Sequence, residues 1–84
     1  MLDVKTEGNR AIMDLRESIK GGAHPRFAVF EYVKAAPVGT VFEIHVPRRP
    51  IPLIKGLEDL GMKVVIDTIA EGHVRVVTAK LTEV

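Results

Sequence analysis

Apolar and polar residues alternate most clearly in the middle of the chain, in the segment FEIHV at positions 42–46. This period of two is the pattern of a β-strand with one buried face. Three prolines follow within six residues and end the strand, because proline has no amide hydrogen and a fixed φ angle. From Pro52 onward leucines recur at helical spacing up to Gly61, a residue suited to a left-handed helix end. The pattern predicts a strand, a rigid corner that carries two arginines, and a short amphipathic helix.

The residues before this strand predict another strand and a longer helix. Residues 11–17, with the sequence AIMDLRE, alternate in the same way, which indicates a strand that ends before a pair of glycines. Pro25 favours the first position of a helix, so His24 is the expected N-cap. An apolar stripe at helical spacing then continues until Pro37 stops the helix.

Two segments rich in β-branched residues, 62–70 and 73–81, end the chain, and the Glu-Gly pair between them predicts a tight hairpin. The predicted order is therefore β-α-β-α-β-β. This order indicates a two-layer α+β sandwich, with a mixed four-stranded sheet and two helices on one face. The first three strands are expected to run parallel and the last antiparallel. Residues 11–84 form a single domain, and residues 1–10 form either an N-terminal extension or an edge strand. The predicted core residues are Met13, Leu15, Phe30, Val33, Phe42, Ile44, Leu57 and Ile66.

Composition excludes several classes of protein. The chain has 84 residues, of which 46% are hydrophobic and 27% charged, as is usual for one globular domain. Its formal charge of +1 argues against a generally basic nucleic-acid binder. Without cysteine it can form no disulfide, thiolate metal ligand or thiol nucleophile. The chain shows neither an apolar run of membrane-spanning length nor a secretory signal, so we expect a cytoplasmic protein with no membrane partner.

The sequence resembles the TusA-like sulfur-carrier superfamily over residues 12–81. The resemblance rests on the triplet DLR at 14–16, a proline-initiated helix, the segment PVGTVFE at 37–43 and the final hairpin. Within the superfamily the chain is most similar to an uncharacterised branch that lacks the carrier cysteine and has a similar corner ending in P-x-P-L. In the sulfur carriers a Cys-Pro pair at the start of the first helix holds the persulfide. Here His24-Pro25 stands at that place, and an imidazole cannot carry a persulfide. The resemblance therefore implies the fold without sulfur transfer.

The topology brings candidate binding residues to one edge of the sheet, where the parallel strands end and where ligands of open α/β sheets bind. These residues are Gly21, Gly22, His24, Arg26, Arg48 and Arg49. Amides of a glycine loop, two helix N-termini and arginines together favour an anion or a carboxylate-bearing partner. The alternative is purely structural, with His24 as a cap, the glycines as a turn and the arginines as solvated charges. Many members of the similar branch have a histidine where Arg48 stands, so a metal or redox role for that position is not implied here.

A histidine-based metal site is a second hypothesis. It would use His24, His45 and His73, although their spacing matches no metal-binding motif. The predicted hairpin brings His73 to the sheet edge, near the end of the strand that carries His45.

An RNA-binding module is a third hypothesis, because the topology resembles the C-terminal domain of a bacterial translation initiation factor. The near-neutral charge and the single tyrosine, Tyr32, argue against it. The sequence shows no catalytic constellation either. We therefore expect a non-enzymatic interaction or ligand-binding module without a cofactor. Its expected partner is an acidic protein or a small anion, and it is a monomer or a homodimer.

Overall fold

A five-stranded mixed sheet is the frame of the molecule in the computed structural model, which describes residues 3–83. The helices and strands in chain order are β1 (Lys5–Glu7), β2 (Arg10–Asp14), α1 (Arg16–Lys20), α2 (Arg26–Ala35), β3 (Val41–Val46), α3 (Ile51–Asp59), β4 (Val64–Ala70) and β5 (His73–Ala79). The strands lie side by side in the order β1-β2-β3-β5-β4. The strands β2 and β3 are parallel, and every other pair of neighbours is antiparallel. The described part of the chain is therefore an α+β fold with an open sheet and three helices.

The strand directions agree with the prediction, but the number of strands does not. The strands β2, β3 and β4 all run in one direction and β5 runs against them. The predicted four-stranded sheet is wrong, because β1 pairs with β2 and adds a fifth strand. A turn at Gly8, whose φ of 59° favours glycine, returns the chain from β1 into β2. The two alternatives for residues 1–10 were both compatible with the weak apolar pattern there.

The first predicted strand ends three residues early. It stops at Asp14, and the residues that follow form the short helix α1. The Asp14 carboxylate accepts a hydrogen bond from the Arg16 amide at 3.2 Å, and the Leu15 amide donates to the carbonyl of His45 at 2.8 Å. These contacts turn the chain out of the strand, whereas the alternation of apolar and polar residues continues to Glu17.

The start of α2 also differs from the prediction. His24 is not the N-cap: Pro25 occupies that position, no side chain caps the helix, and His24 is exposed. The first amide to donate back along the chain is that of Val29, which bonds to the Pro25 carbonyl at 3.0 Å. Proline therefore lies one residue earlier than the first helical position, and the histidine before it is free of the helix.

The end of α3 was predicted correctly. Gly61 has a φ of 86°, in the left-handed region. Its amide donates to the Glu58 carbonyl at 2.9 Å, and the Met62 amide donates to the Leu57 carbonyl at 3.1 Å. This pair of bonds is a Schellman motif, and it satisfies carbonyls that the end of a helix leaves without partners.

The core contains six of the eight predicted residues: Met13, Leu15, Val33, Phe42, Ile44 and Leu57. Phe30 and Ile66 are only partly buried, which corrects the prediction for both. Ile66 lies on the edge strand β4, which has a neighbour on one side only. Buried residues of α2 and α3 join those of β2, β3 and β5 in one cluster, so both longer helices pack on the same core.

Each of the three helices within residues 3–83 is too short or too polar to cross a lipid bilayer.

Candidate functional site

A pocket of about 220 Å³ lies where β2 and β3 end, between the starts of α2 and α3. Leu15, directly after β2, and Val46, the last residue of β3, reach it from the sheet. The helix starts reach it through the two proline segments that precede them. The carboxyl ends of parallel strands thus meet two helix N-termini at one place, which is where open α/β folds bind ligands.

Four of the six predicted binding residues line this pocket: His24, Arg26, Arg48 and Arg49. They come from segments more than twenty residues apart and are all exposed. Gly21 and Gly22 are not among the lining residues. Gly22 has a φ of 94° and forms part of the turn between α1 and α2, so its conformation serves the chain reversal.

The pocket has an apolar base and a basic rim. The apolar part of its lining, here called the base, consists of aliphatic and proline side chains, namely Leu15, Ile19, Ala23, Pro25, Val46, Pro47, Pro50, Pro52 and Leu53. No aspartate or glutamate lines it. Within residues 3–83 none of the rim arginines forms an ion pair. Arg26 instead lies over the ring of Phe27, 5.0 Å from its centroid, which leaves its guanidinium donors free.

The helix starts contribute amide donors to different degrees. In α2 the first-turn amides have no partner within the helix, as at any helix start. In α3 the Ile51 amide already donates to the Arg49 carbonyl at 3.2 Å, and Pro52 has no amide hydrogen. The positive electrostatic potential of the pocket therefore comes mainly from α2 and the arginines.

A second polar cluster lies on the sheet face opposite the core. His45 on β3 and His73 on β5 are 2.8 Å apart, measured from His45 Nδ1 to His73 Nε2. The other ring nitrogen of His45, Nε2, lies 2.8 Å from a carboxylate oxygen of Glu43, and Arg10 pairs with the second oxygen of that carboxylate. The side chains of His45 and Glu43 are only 16% and 15% exposed, so these contacts are partly shielded from solvent.

The electrostatics of this cluster follow from its contacts. The hydrogen bond from His45, and then that from Arg10, lowers the pKa of Glu43 even though burial opposes this. Partial burial, and then the positive charge of Arg16, lowers the pKa of His73. The cluster therefore favours an ionised Glu43 and a neutral His73.

Two further ion pairs flank the histidines. Arg16 contacts both carboxylate oxygens of Asp14, at 3.0 and 2.7 Å, and these bonds lower the pKa of Asp14 to about 2. Arg75 donates to Asp67 at 2.9 Å across β4 and β5. Each arginine near the histidines thus has its own carboxylate.

The sequence predicted that the two histidines approach each other, but it did not predict their contact with Glu43. The predicted approach of His73 to the strand of His45 is confirmed. The role of Glu43 was missed, because its single carboxylate had no visible partner in the sequence. The alternation Glu43-x-His45 was the available signal, since residues two apart on a strand share a face. His24 lies at the pocket instead, so the structure does not bring the three histidines together. Within residues 3–83 no three histidine, aspartate or glutamate side chains are arranged to hold a metal ion.

Comparison of the chain with protein-family models, with curated proteins and with solved structures found no match. The resemblance to the TusA-like superfamily therefore stays a prediction.

Proposed function

We propose that this chain is a non-enzymatic binding module whose pocket accepts the carboxylate or another anionic group of a small ligand or an acidic protein. One observation carries the proposal: within residues 3–83, three arginines without carboxylate partners and one histidine surround a pocket that has no acidic lining residue. Arginine side chains and helix N-termini are the groups that proteins use to bind oxyanions.

The apolar base adds a requirement on the ligand. A pocket of about 220 Å³ is smaller than the usual site of a drug-sized molecule. It matches a short aliphatic chain or a single protein side chain next to the anionic group. We therefore propose a ligand with both an apolar part and a negative charge, rather than a bare inorganic ion.

Neither a nucleophile nor a paired acid and base is part of the proposed site. Its lining contains one imidazole, that of His24, among apolar and basic residues. Such a pocket can bind and orient an anion. We propose no reaction for it.

The test is a titration of the ¹⁵N-labelled chain followed by amide NMR shifts, with sulfate in one series and butyrate in another. We expect concerted shifts at Arg26, Arg48 and Leu53, with butyrate binding more tightly because it also fills the apolar base. Replacing Arg48 and Arg49 together by glutamine should weaken butyrate by about tenfold or more, the value of a lost charge-assisted hydrogen bond.

The control removes two positive charges elsewhere, with Lys55→Gln and Lys63→Gln, both on exposed positions. This double variant has the same net charge as the arginine variant, so it should bind butyrate nearly as the unaltered chain does. If both double variants lose the same affinity for butyrate, the arginines act only through the net charge of the protein, and the proposal is refuted.

We also propose that the chain is a TusA-like domain and that it works in the cytoplasm. The order of strands and helices from β2 onward supports the first point, since it agrees with the order that the resemblance implies apart from α1. The lack of cysteine is compatible with a reducing compartment.

A further inference from the structure

We propose that His45 and His73 form a two-imidazole site for an exchangeable divalent transition-metal ion, best suited to Cu²⁺, on the sheet face opposite the core. The site is separate from the anion pocket and uses none of its residues. Of the three histidines in the metal hypothesis, His24 is left out. Water or a small ligand completes the coordination of the ion by His45 and His73.

Two ring nitrogens of the histidines face each other at close range. His45 Nδ1 and His73 Nε2 are 2.8 Å apart. Two nitrogens that each bind an ion at ~2.0 Å are about 2.8 Å apart when they take adjacent corners of a square plane, and about 3.3 Å apart in a tetrahedron. The observed distance is that of the hydrogen bond between the two rings, and it is also compatible with adjacent corners of the square-planar or tetragonal geometry that Cu²⁺ prefers.

A carboxylate oxygen of Glu43 lies 2.8 Å from His45 Nε2. A carboxylate oxygen accepts in such a contact, so His45 Nε2 carries the hydrogen. In the neutral ring this leaves the lone pair on Nδ1, the atom that faces His73. Arg10 holds the Glu43 carboxylate from its other side. A carboxylate behind an imidazole is the arrangement that orients metal-binding histidines and makes them more basic.

The two histidines lie on neighbouring, hydrogen-bonded strands of the sheet. Hydrogen-bonded pairing of β3 with β5 places His45 opposite Arg75, two residues from His73 on the same face. The two rings are therefore diagonal neighbours, with centroids 5.0 Å apart. For binding, His73 shifts its hydrogen from Nε2 to Nδ1, and both rings turn so that the two nitrogens, which face each other in the hydrogen bond, direct their lone pairs at the ion.

Charged side chains of both signs surround the two rings. Three arginines lie near the histidines, and each is paired with a carboxylate: Arg10 with Glu43, Arg16 with Asp14 and Arg75 with Asp67. The formal charges of these three pairs cancel, but the positive charge of Arg16 still acts on His73 and weakens the binding of a cation there. Two protein ligands without a charged third one indicate an exchangeable ion rather than a structural one.

The experiment is isothermal titration of the untagged full chain with Cu²⁺, supported by electron paramagnetic resonance of the complex. We expect one equivalent of Cu²⁺ with a tetragonal spectrum and coupling to nitrogen. His45→Gln and His73→Gln should each weaken binding at least tenfold, and Glu43→Gln should weaken it by about tenfold or more by removing the acceptor behind His45. His24→Gln is the matched control and should leave the affinity unchanged.

A second measurement identifies the histidines that bind the ion without any substitution, so it also works if a variant fails to fold. Two-bond ¹H–¹⁵N spectra of the unaltered chain, recorded with Zn²⁺ as a diamagnetic probe, should show changes at His45 Nδ1 and His73 Nε2 and none at His24. Equal weakening of Cu²⁺ binding by His24→Gln, or imidazole changes at His24 instead, would overturn the proposal. Binding of sulfate or butyrate should be the same with and without the metal, so the two sites can fail independently.

Discussion

The ammonium group of Lys80 is fully buried at the carboxyl end of α2. Its Nζ donates to three backbone carbonyls, those of Val33, Lys34 and Ala36, at 3.0, 2.8 and 2.6 Å. A helix leaves its last carbonyls without partners, and the helix dipole places partial negative charge there. The lysine therefore acts as a C-terminal cap supplied by another segment, and its three donors are all satisfied.

We expect Lys80→Met to lower the free energy of unfolding by about 2–4 kcal/mol, because it keeps the length of the side chain and removes charge-assisted bonds to buried carbonyls. Urea denaturation measures this directly. Lys55→Met, at an exposed position of α3, is the control and should change stability by less than about 0.5 kcal/mol. Equal effects of the two variants would mean that the buried ammonium contributes nothing specific.

The contact partners of a single side chain can be predicted from the sequence only when neighbouring elements, such as the two strands of a hairpin, determine which residues meet. The approach of His45 and His73 was predictable, since a hairpin determines which residues meet. The cap formed by Lys80 was not, because its acceptors lie 44 to 47 residues earlier in the chain. A lysine near the end of a strand is usually solvated, and only the folded backbone shows that α2 ends beneath it.

The contact between α2 and α3 depends on a glycine inside a helix. Gly56 lies in the middle of α3, where glycine costs about 1 kcal/mol relative to alanine. A Cβ at this position would lie 2.2 Å from the ring of Phe30, closer than any real contact. The absence of a side chain at Gly56 thus allows the ring of Phe30 to pack directly on the helix backbone.

We therefore expect Gly56→Ala to destabilise the protein by about 1–2 kcal/mol, because the clash outweighs the gain in helix propensity. In a Phe30→Leu background the same substitution should be neutral or stabilising. Thermal or urea unfolding of the four proteins of this double-mutant cycle gives the coupling between the two residues. If Gly56→Ala stabilises the unaltered chain, the ring moves freely and the contact is not tight.

Because Phe30 is only partly buried, its truncation should destabilise the protein less than truncation of Phe42 does. Phe42 is fully buried, so Phe42→Ala should cost about 3–5 kcal/mol in denaturant unfolding. Phe30→Ala should cost clearly less, since its ring is already partly in water. Periodicity correctly placed Phe30 on the inner stripe of the helix. The periodicity could not show that Phe30 lies at the margin of the core, where α2 packs on α3. A reversed order of the two losses would contradict this account.

Across the whole molecule, the main strands and both longer helices were predictable from hydrophobic period and from proline and glycine positions. The additional elements were not. The strand β1 has three exposed residues, and α1 has five residues with none buried, so neither leaves an apolar pattern in the sequence. The juxtaposition of His24, Arg26, Arg48 and Arg49 was predictable, because parallel strands bring their carboxyl ends together. The polar network on the outer face required the strand order, with β5 between β3 and β4.

The outer face also makes the stability of the molecule depend on pH through Asp14. The side-chain bonds from Arg16 hold the pKa of Asp14 at about 2, below its ordinary value of 3.8. A carboxyl whose pKa is lowered on folding binds fewer protons in the folded than in the unfolded chain between these two values. Its contribution to stability is therefore fully present above about pH 4 and is lost as the pH falls to about 2.

We expect Asp14→Asn to destabilise the chain at pH 7 by less than about 1 kcal/mol, since the carboxylate is 51% exposed and water weakens the pair. The difference from the unaltered chain should shrink as the pH is lowered and be mostly lost by about pH 2, where Asp14 is half protonated in the folded chain. Urea unfolding at several pH values in metal-free buffer measures this. Asp67→Asn is the matched control, because Asp67 is also 51% exposed but accepts one side-chain hydrogen bond from its arginine instead of two. A difference for Asp14→Asn that stays constant from pH 7 to pH 2 would show that the folded chain does not hold Asp14 ionised.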